Sequence, residues 1–153
     1  MGNSAIRKIG KSNCQLLNIR CTSFEIAKEC VQKTKFRTDI PLDSNARTKD
    51  VGCTLEISGK ILVSTDGDPF DSTLQLGKWS MIPAEDAAAY RQVEVEIINA
   101  GVVERKYTFP RAFVVDYKED YANSDGIGQF SIIIKQKKDK LASVSIEGGY
   151  IGA

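Results

Sequence analysis

The sequence predicts a mainly β fold, an antiparallel barrel or sandwich of about six to eight strands with one flanking α-helix. Three observations carry this. Apolar and polar residues alternate with period two through several separate runs, the signature of half-buried strands. Turn-forming stretches, Asp66-Gly67-Asp68-Pro69, Asn99-Ala100-Gly101 and Asn123 to Gly128, separate those runs. One window alone, Phe70 to Met81, carries apolar residues near helical spacing.

Taken in order, residues 1–13 form a polar arm. Cys14 to Lys35 reads as strand, either two strands or one bent strand. Leu16, Leu17, Ile19, Phe24, Ile26 and Val31 are its apolar positions, and the phase shifts near Thr22-Ser23 as a bulge would require. Arg37 to Asp50 (RTDIPLDSNARTKD) is almost free of apolar residues and reads as a long loop, a length that is uncommon in compact domains unless the loop is functional or disordered. Val51 to Thr65 returns to period two. Cys53, Leu55, Ile57, Ile61 and Val63 share one face, Thr54, Glu56, Ser58 and Lys60 the other, and Gly59 marks a bulge or a close backbone approach.

Phe70 to Met81 is the expected helix, capped by Asp71 or Ser72, with Phe70, Leu74 and Met81 on its apolar stripe and Trp79 beside them. Gly77 weakens it by about 1 kcal/mol relative to Ala. Pro83 to Ala89 adds a helical turn. Gln92 to Ile97 alternates strictly, Asn99-Ala100-Gly101 makes a hairpin connection, and Val102 to Phe109 alternates again. Pro110, which has no N–H to donate, is expected to interrupt the ladder. Phe113, Val115 and Tyr117 then share a face, and Gln129 to Lys137 is the last clear strand, with Phe130, Ile132 and Ile134 inward. The expected core is Leu55, Ile57, Leu74, Trp79, Val95, Phe113, Val115, Tyr117, Phe130, Ile132 and Ile134. Lys138 to Ala153 is a tail.

At 153 residues the chain reads as one domain, 1–153. Lys and Arg number 21 against 20 Asp and Glu, so net charge exerts no overall pull toward nucleic acid or an anionic membrane. The basic run Lys135 to Lys140 reads as a solubilising strand end. No window approaches the ~20 apolar residues that span a bilayer. The start, MGNSAIRKIGKSN, has no apolar h-region, so synthesis in the cytoplasm without a signal peptide is expected.

The chain has no histidine, which removes the usual general base and any Ser-His-Asp or Cys-His arrangement. Glu94 with Glu96, and Glu119 with Asp120, could pair for acid–base work, but they occupy the polar positions that a solvated sheet face requires. Asp66-Gly67-Asp68 and Ser124 to Gly128 lack the fuller calcium-loop spacing and read as turns. Cys14, Cys21, Cys30 and Cys53 contain no C-x-x-C pair and read as reduced, several of them buried. Trp79, Tyr107, Tyr117 and Tyr121 could form a stacking platform, yet acidic residues are interleaved where a positive groove should run. No enzyme, metal or cofactor is expected. The surplus features, a long polar loop and many strand edges, are those by which β proteins associate with copies of themselves.

Phe109-Pro110-Arg111-Ala112-Phe113-Val114-Val115-Asp116-Tyr117, then a turn and Phe130-x-Ile132-x-Ile134, resembles the haemolysin-coregulated (Hcp) and phage tail-tube family in its F-x-x-A-x-V-x-x-Y strand and F-x-[IL]-x-[IL] return. The order of features from about Cys14 to Lys137 is similar as well. The resemblance implies a structural, non-enzymatic protein, the inner-tube subunit of a contractile injection system, closing into hexameric rings that stack into a tube. It implies sheath, baseplate and spike partners, an effector or nucleic-acid cargo in the lumen, and release or injection of the assembled particle. It also implies that the loop reaches a neighbouring subunit, with Arg37, Asp39, Asp43, Asn45, Arg47, Lys49 and Asp50 as its contacting residues. Thr54, Glu56, Ser58 and Lys60, or Gln92, Glu94 and Glu96, would line the lumen or a subunit face. The alternative from another class is a small β-barrel that binds nucleic acid or carbohydrate.

Overall fold

The computed structural model describes residues 16–21, 24–26, 30–39, 52–61, 72–122, 126–137 and 144–151. Nine strands join in one sheet: β1 (Leu16–Cys21), β2 (Phe24–Ile26), β3 (Val31–Asp39), β4 (Gly52–Ile61), β5 (Arg91–Asn99), β6 (Val102–Asp120), β7 (Gly128–Gln136), β8 (Ser145–Glu147) and β9 (Tyr150–Ile151). The sheet runs β2-β1-β5-β6-β7-β4-β3, with β8 and β9 added along β6, and every pairing is antiparallel. The architecture is therefore mainly β with a single α-helix, α1 (Ser72–Ser80), among the described residues.

Strand β6 organises the whole. Its 19 residues pass through two walls, pairing with β5 in the first half and with β7 in the second. One wall is β2-β1-β5-β6 and the other is β6-β7-β4-β3. Their inner faces meet in a shared core of Ile19, Val93, Val95 and Phe109 against Leu55, Ile57, Ile132 and Ile134. Where the walls close, Phe36 of β3 stacks on Tyr107 of β6 at 4.3 Å between ring centroids. Phe36, Ile61 and Tyr117 pack against this core from its margins.

The sequence expects Pro110 to break the strand, and instead it lies inside β6. The reason is a bulge: Val93 pairs with Phe109 and Arg91 with Ala112, so Pro110 and Arg111 together face Gln92. A bulge is where a strand tolerates a residue with no N–H. The neighbouring amide does not go unsatisfied, because Arg111 N–H donates to the buried Gln136 side chain at 3.2 Å.

A second bulge corrects the predicted core. Val114 pairs with Ile134 and Asp116 with Ile133, which leaves Val115 as the extra residue, half exposed at 50%. The alternation Phe113-Val115-Tyr117 is thereby broken. Phe113 pairs with Lys135 on the outer face and meets Tyr90 edge-on at 6.0 Å, while Val114 and Tyr117 pack on the core.

Helix α1 also differs from expectation. It buries Thr73, Leu76 and Trp79, and leaves Leu74 at 44% and Met81, just past its end, at 83% exposed. Phe70 and Asp71 lie outside the described residues. Positions 73, 76 and 79 follow one another around the helix at i, i+3 spacing, and α1 lays that stripe against β2 and β6. Trp79 sets the orientation, since its buried Nε1–H donates to the carbonyl of Ala89 at 2.8 Å.

The segment expected to be one bent strand or two is three strands, with β1 and β2 paired on one wall and β3 on the other. Gly59 is a true close approach: Lys60 N–H donates to the carbonyl of Cys30 at 2.8 Å beside a register shift between Val31 and Lys33. Ala100 and Gly101, both with positive φ (52° and 80°), make a two-residue hairpin turn between β5 and β6.

Candidate assembly surfaces

The root of the long loop is ordered by charge. The sequence starts the loop at Arg37, but β3 continues to Asp39, pairing Arg37 with Thr54 and Asp39 with Gly52. Arg37 Nε sits 3.0 Å from Asp39 Oδ1 and its Nη1 3.7 Å from Glu56 Oε1. Thr54 Oγ1 donates to Asp39 Oδ2 at 2.7 Å, and Lys135 Nζ lies 3.7 Å from the same oxygen. These contacts extend the strand by three residues against the polar composition. Asp43, Asn45, Arg47, Lys49 and Asp50 lie outside the described residues.

The hydrogen bond from Thr54, aided by Lys135 and Arg37, holds the Asp39 carboxyl below the ordinary carboxylate range, although partial burial opposes it. A depressed folded pKa adds stability that is present above the unfolded value of about 4 and is lost as pH falls through the folded value. Asp39→Asn is therefore expected to lower the urea midpoint at pH 7, with the gap from the parent protein narrowing below about pH 4. A gap that stays constant down to the acid transition would rule out this ionic contribution.

The two predicted polar faces lie on opposite walls. Glu56, Ser58 and Lys60 project from the β3-β4-β7 wall, and Gln92, Glu94 and Glu96 from the β1-β5 wall; both sets point away from the shared core. The two sets therefore belong to different surfaces. Thr54 departs from its set, because it is fully buried beneath its hydrogen bond to Asp39.

Register places residues together that lie far apart in sequence. Across the outer face of the β6-β7-β4-β3 wall, Lys33, Ser58, Ser131 and Lys118 form one row over four strands, and Lys35, Glu56, Ile133 and Asp116 the next. On the other wall, Glu25, Arg20, Glu94 and Thr108 form a row, beside Asn18, Glu96, Lys106 and Glu147. Arg20 Nε meets Glu25 at 3.1 Å and its Nη1 meets Glu96 at 3.7 Å.

Tyr90 is a structural residue that sequence reasoning passed over. Its hydroxyl donates to Ala84 O at 3.0 Å, and Arg111 and Lys137 lie 5.4 and 4.9 Å from its ring centroid. Its only sequence signal is an aromatic residue immediately before β5. With Phe113, Lys135 and Lys137 it lines a hollow of about 380 Å³ beside Asp39, Gly52 and Cys53.

Cys21 and Cys53 do not suit nucleophilic work. Burial pushes the Cys21 thiol up to about 12 despite nearby Arg91, and Cys53 is raised by burial and by Asp39. No cluster of three or more metal-ligating side chains occurs among the described residues. No helix among them is long and apolar enough to cross a membrane. The tail, beyond residue 143, adds β8 and β9 to β6 and displays Ile146 and Ile151, the latter 85% exposed.

The nine-stranded sheet, whose walls share one long strand, and the one short helix among the described residues make an Hcp-like fold. Hcp1 from Flavobacterium johnsoniae superposes with a TM-score of 0.54 at 17% identity, covering 90% of this chain and 99% of its own. Hcp1 from Salmonella typhimurium gives 0.50 at 13% identity over 90% and 95%. A chain of the sheath–tube complex of PVC, an extracellular contractile injection system, gives 0.51 at 10% identity over 88% and 89%. No family model and no curated protein matches the sequence. At 10–17% identity these likenesses show the fold.

Proposed function

We propose that this chain is a structural inner-tube subunit of a contractile injection system, forming hexameric rings that stack into a tube. The observation that supports this best is the likeness in fold along about nine-tenths of both chains to Hcp1 and to the PVC sheath–tube chain. The surface fits the reading. Among the described residues, β2 and β3 end the sheet path with unpaired edges, which invite pairing with a neighbouring copy. As the family resemblance implies, the 37–50 segment reaches an adjacent subunit, and exposed Ile146 and Ile151 supply apolar contact to the next copy. Because the two walls face opposite ways, one lines the lumen and the other meets the sheath.

In this reading the whole chain is one domain. Sheath, baseplate and spike are its partners, and an effector or nucleic acid is its cargo. The subunit is made and assembled in the cytoplasm, and the particle is released or injected.

Electron microscopy of the purified protein tests this directly. Rings or tubes with six-fold symmetry are expected, and Ile146→Asp combined with Ile151→Asp should reduce assembly by at least tenfold while circular dichroism stays β-rich. A protein that remains monomeric at high concentration, also with sheath and baseplate partners added, would overturn the proposal. A saturable small ligand on such a monomer would instead favour the ligand-binding barrel, with the hollow beside Tyr90 as its place.

A further inference from the structure

The outer face of the β3-β4-β7 wall holds a cluster to which the tube reading assigns no ligand. Lys33, Lys35, Glu56, Ile57, Ser58 and Ser131 line a shallow hollow of about 110 Å³. A water's share of liquid volume is about 30 Å³, so the hollow has room for one tetrahedral oxyanion. Ser58 pairs directly with Ser131 and Lys33 with Ser58, so two hydroxyls and an ammonium converge from three strands.

The charge here is uncommitted. On the same face Arg37 is engaged by Asp39 and Glu56, Lys135 by Asp39, and Lys118 by Asp116 at 3.5 Å. Among the described residues Lys33, Lys35 and Lys60 have no acidic partner, and Ser58 and Ser131 make no side-chain hydrogen bond. Glu56 is the one carboxylate lining the hollow among the described residues, and Arg37 offsets its charge. Lys33, Lys35 and Arg37 also recur every second residue along β3, about 6.7 Å apart, which is a straight rail of cations. The opposite wall has the reverse balance, with Glu25, Glu94, Glu96 and Glu147 against Arg20 and Lys106.

We propose that this hollow is a phosphate-group site, in which Ser58 and Ser131 donate hydrogen bonds to phosphate oxygens and Lys33 and Lys35 supply the countercharge. Lys60 and the β3 rail extend it to successive phosphates of an extended strand. The site goes beyond the tube reading and stands whether or not rings form.

The test measures fluorescence anisotropy of a short labelled oligothymidylate against salt, with inorganic phosphate as competitor. Binding that weakens with salt is expected. Lys33→Ala and Lys35→Ala should each flatten the slope of log affinity against log salt by about 0.7. Ser58→Ala with Ser131→Ala should cost about tenfold in affinity at unchanged slope, since neutral donors release no counterions. Lys106→Ala, the same charge change on the acidic wall, should leave both unchanged. Displacement by millimolar phosphate would assign the site to lone phosphate groups, and resistance to it would assign the site to a nucleic-acid backbone. Absence of binding by both probes, or a Lys106→Ala loss equal to that of Lys33→Ala, would overturn the site. Ring formation, read separately by microscopy, is indifferent to either result.

Discussion

Gly59→Ala is expected to destroy the native pairing of β3 with β4. A Cβ at this position would lie 1.8 Å from the carbonyl oxygen of Cys30 and 2.8 Å from its carbon. Both are backbone atoms, fixed by the hydrogen bond from Lys60 N–H at 2.8 Å and by the adjacent register shift. Relief needs more than an ångström of strand movement, which breaks that bond and reaches Phe130, whose ring is 3.1 Å away. Overpacking a tight core costs ~1–3 kcal/mol and occasionally more, and this site is at the upper end because no flexible side chain can yield. Chemical denaturation should show a loss of about 3 kcal/mol or a failure to fold. Gly77→Ala is the matched control. Its added methyl would sit 3.5 Å from the Tyr117 ring, an ordinary contact, and helix propensity favours it by about 1 kcal/mol. Equal stability of the two variants would refute the argument.

Trp79→Ala should produce the other large loss. The side chain is 1% exposed, fills the space between α1 and the walls, and donates to Ala89 O. The guanidinium of Arg91 lies 5.5 Å from its ring centroid. Truncating a buried aromatic costs ~3–5 kcal/mol, and leaving the Ala89 carbonyl unpaired adds to that. Since Trp79 is the sole tryptophan, the loss is read by circular dichroism in urea. Leu74→Ala, on the same helix, should cost under about 1 kcal/mol because half-exposed positions contribute little. A Trp79→Ala midpoint within error of the Leu74→Ala midpoint would show that Trp79 does not anchor the helix.

The contrast between those two helix positions shows how far local pattern reaches. The apolar content of 70–81 announces a helix, but Phe70, Leu74 and Met81 compete with Leu76 and Trp79 to be its inner stripe. Periodicity cannot choose between them, whereas the surface of β6 can. Gly59 was legible because a glycine inside a strand has few other uses. Asn99-Ala100-Gly101 was legible because positive φ at two successive residues selects small turn formers. The end of β3 was not, since Arg37 to Asp39 is held by Thr54, Glu56 and Lys135, all on other strands.

For the candidate surfaces, the sequence placed Glu56, Ser58 and Lys60 together and Glu94 beside Glu96, because period two needs only one strand. It could not show that these faces point in opposite directions, nor that Ser58 lies beside Ser131. Those are facts of strand order.

From its residues alone this protein is a mainly β chain with no histidine for acid–base chemistry, strand runs from β4 to β7, and a resemblance centred on Phe109 to Ile134. Only the tertiary structure decided that Pro110 stays inside a continuous β6 and that Val115 bulges out. It also decided that Phe113 leaves the core while Val114 enters it. The physical reason is that one extra residue reverses which side chains face inward for the rest of a strand. Whether a strand carries that extra residue depends on the partner it pairs with, and alternation within the strand itself does not record it.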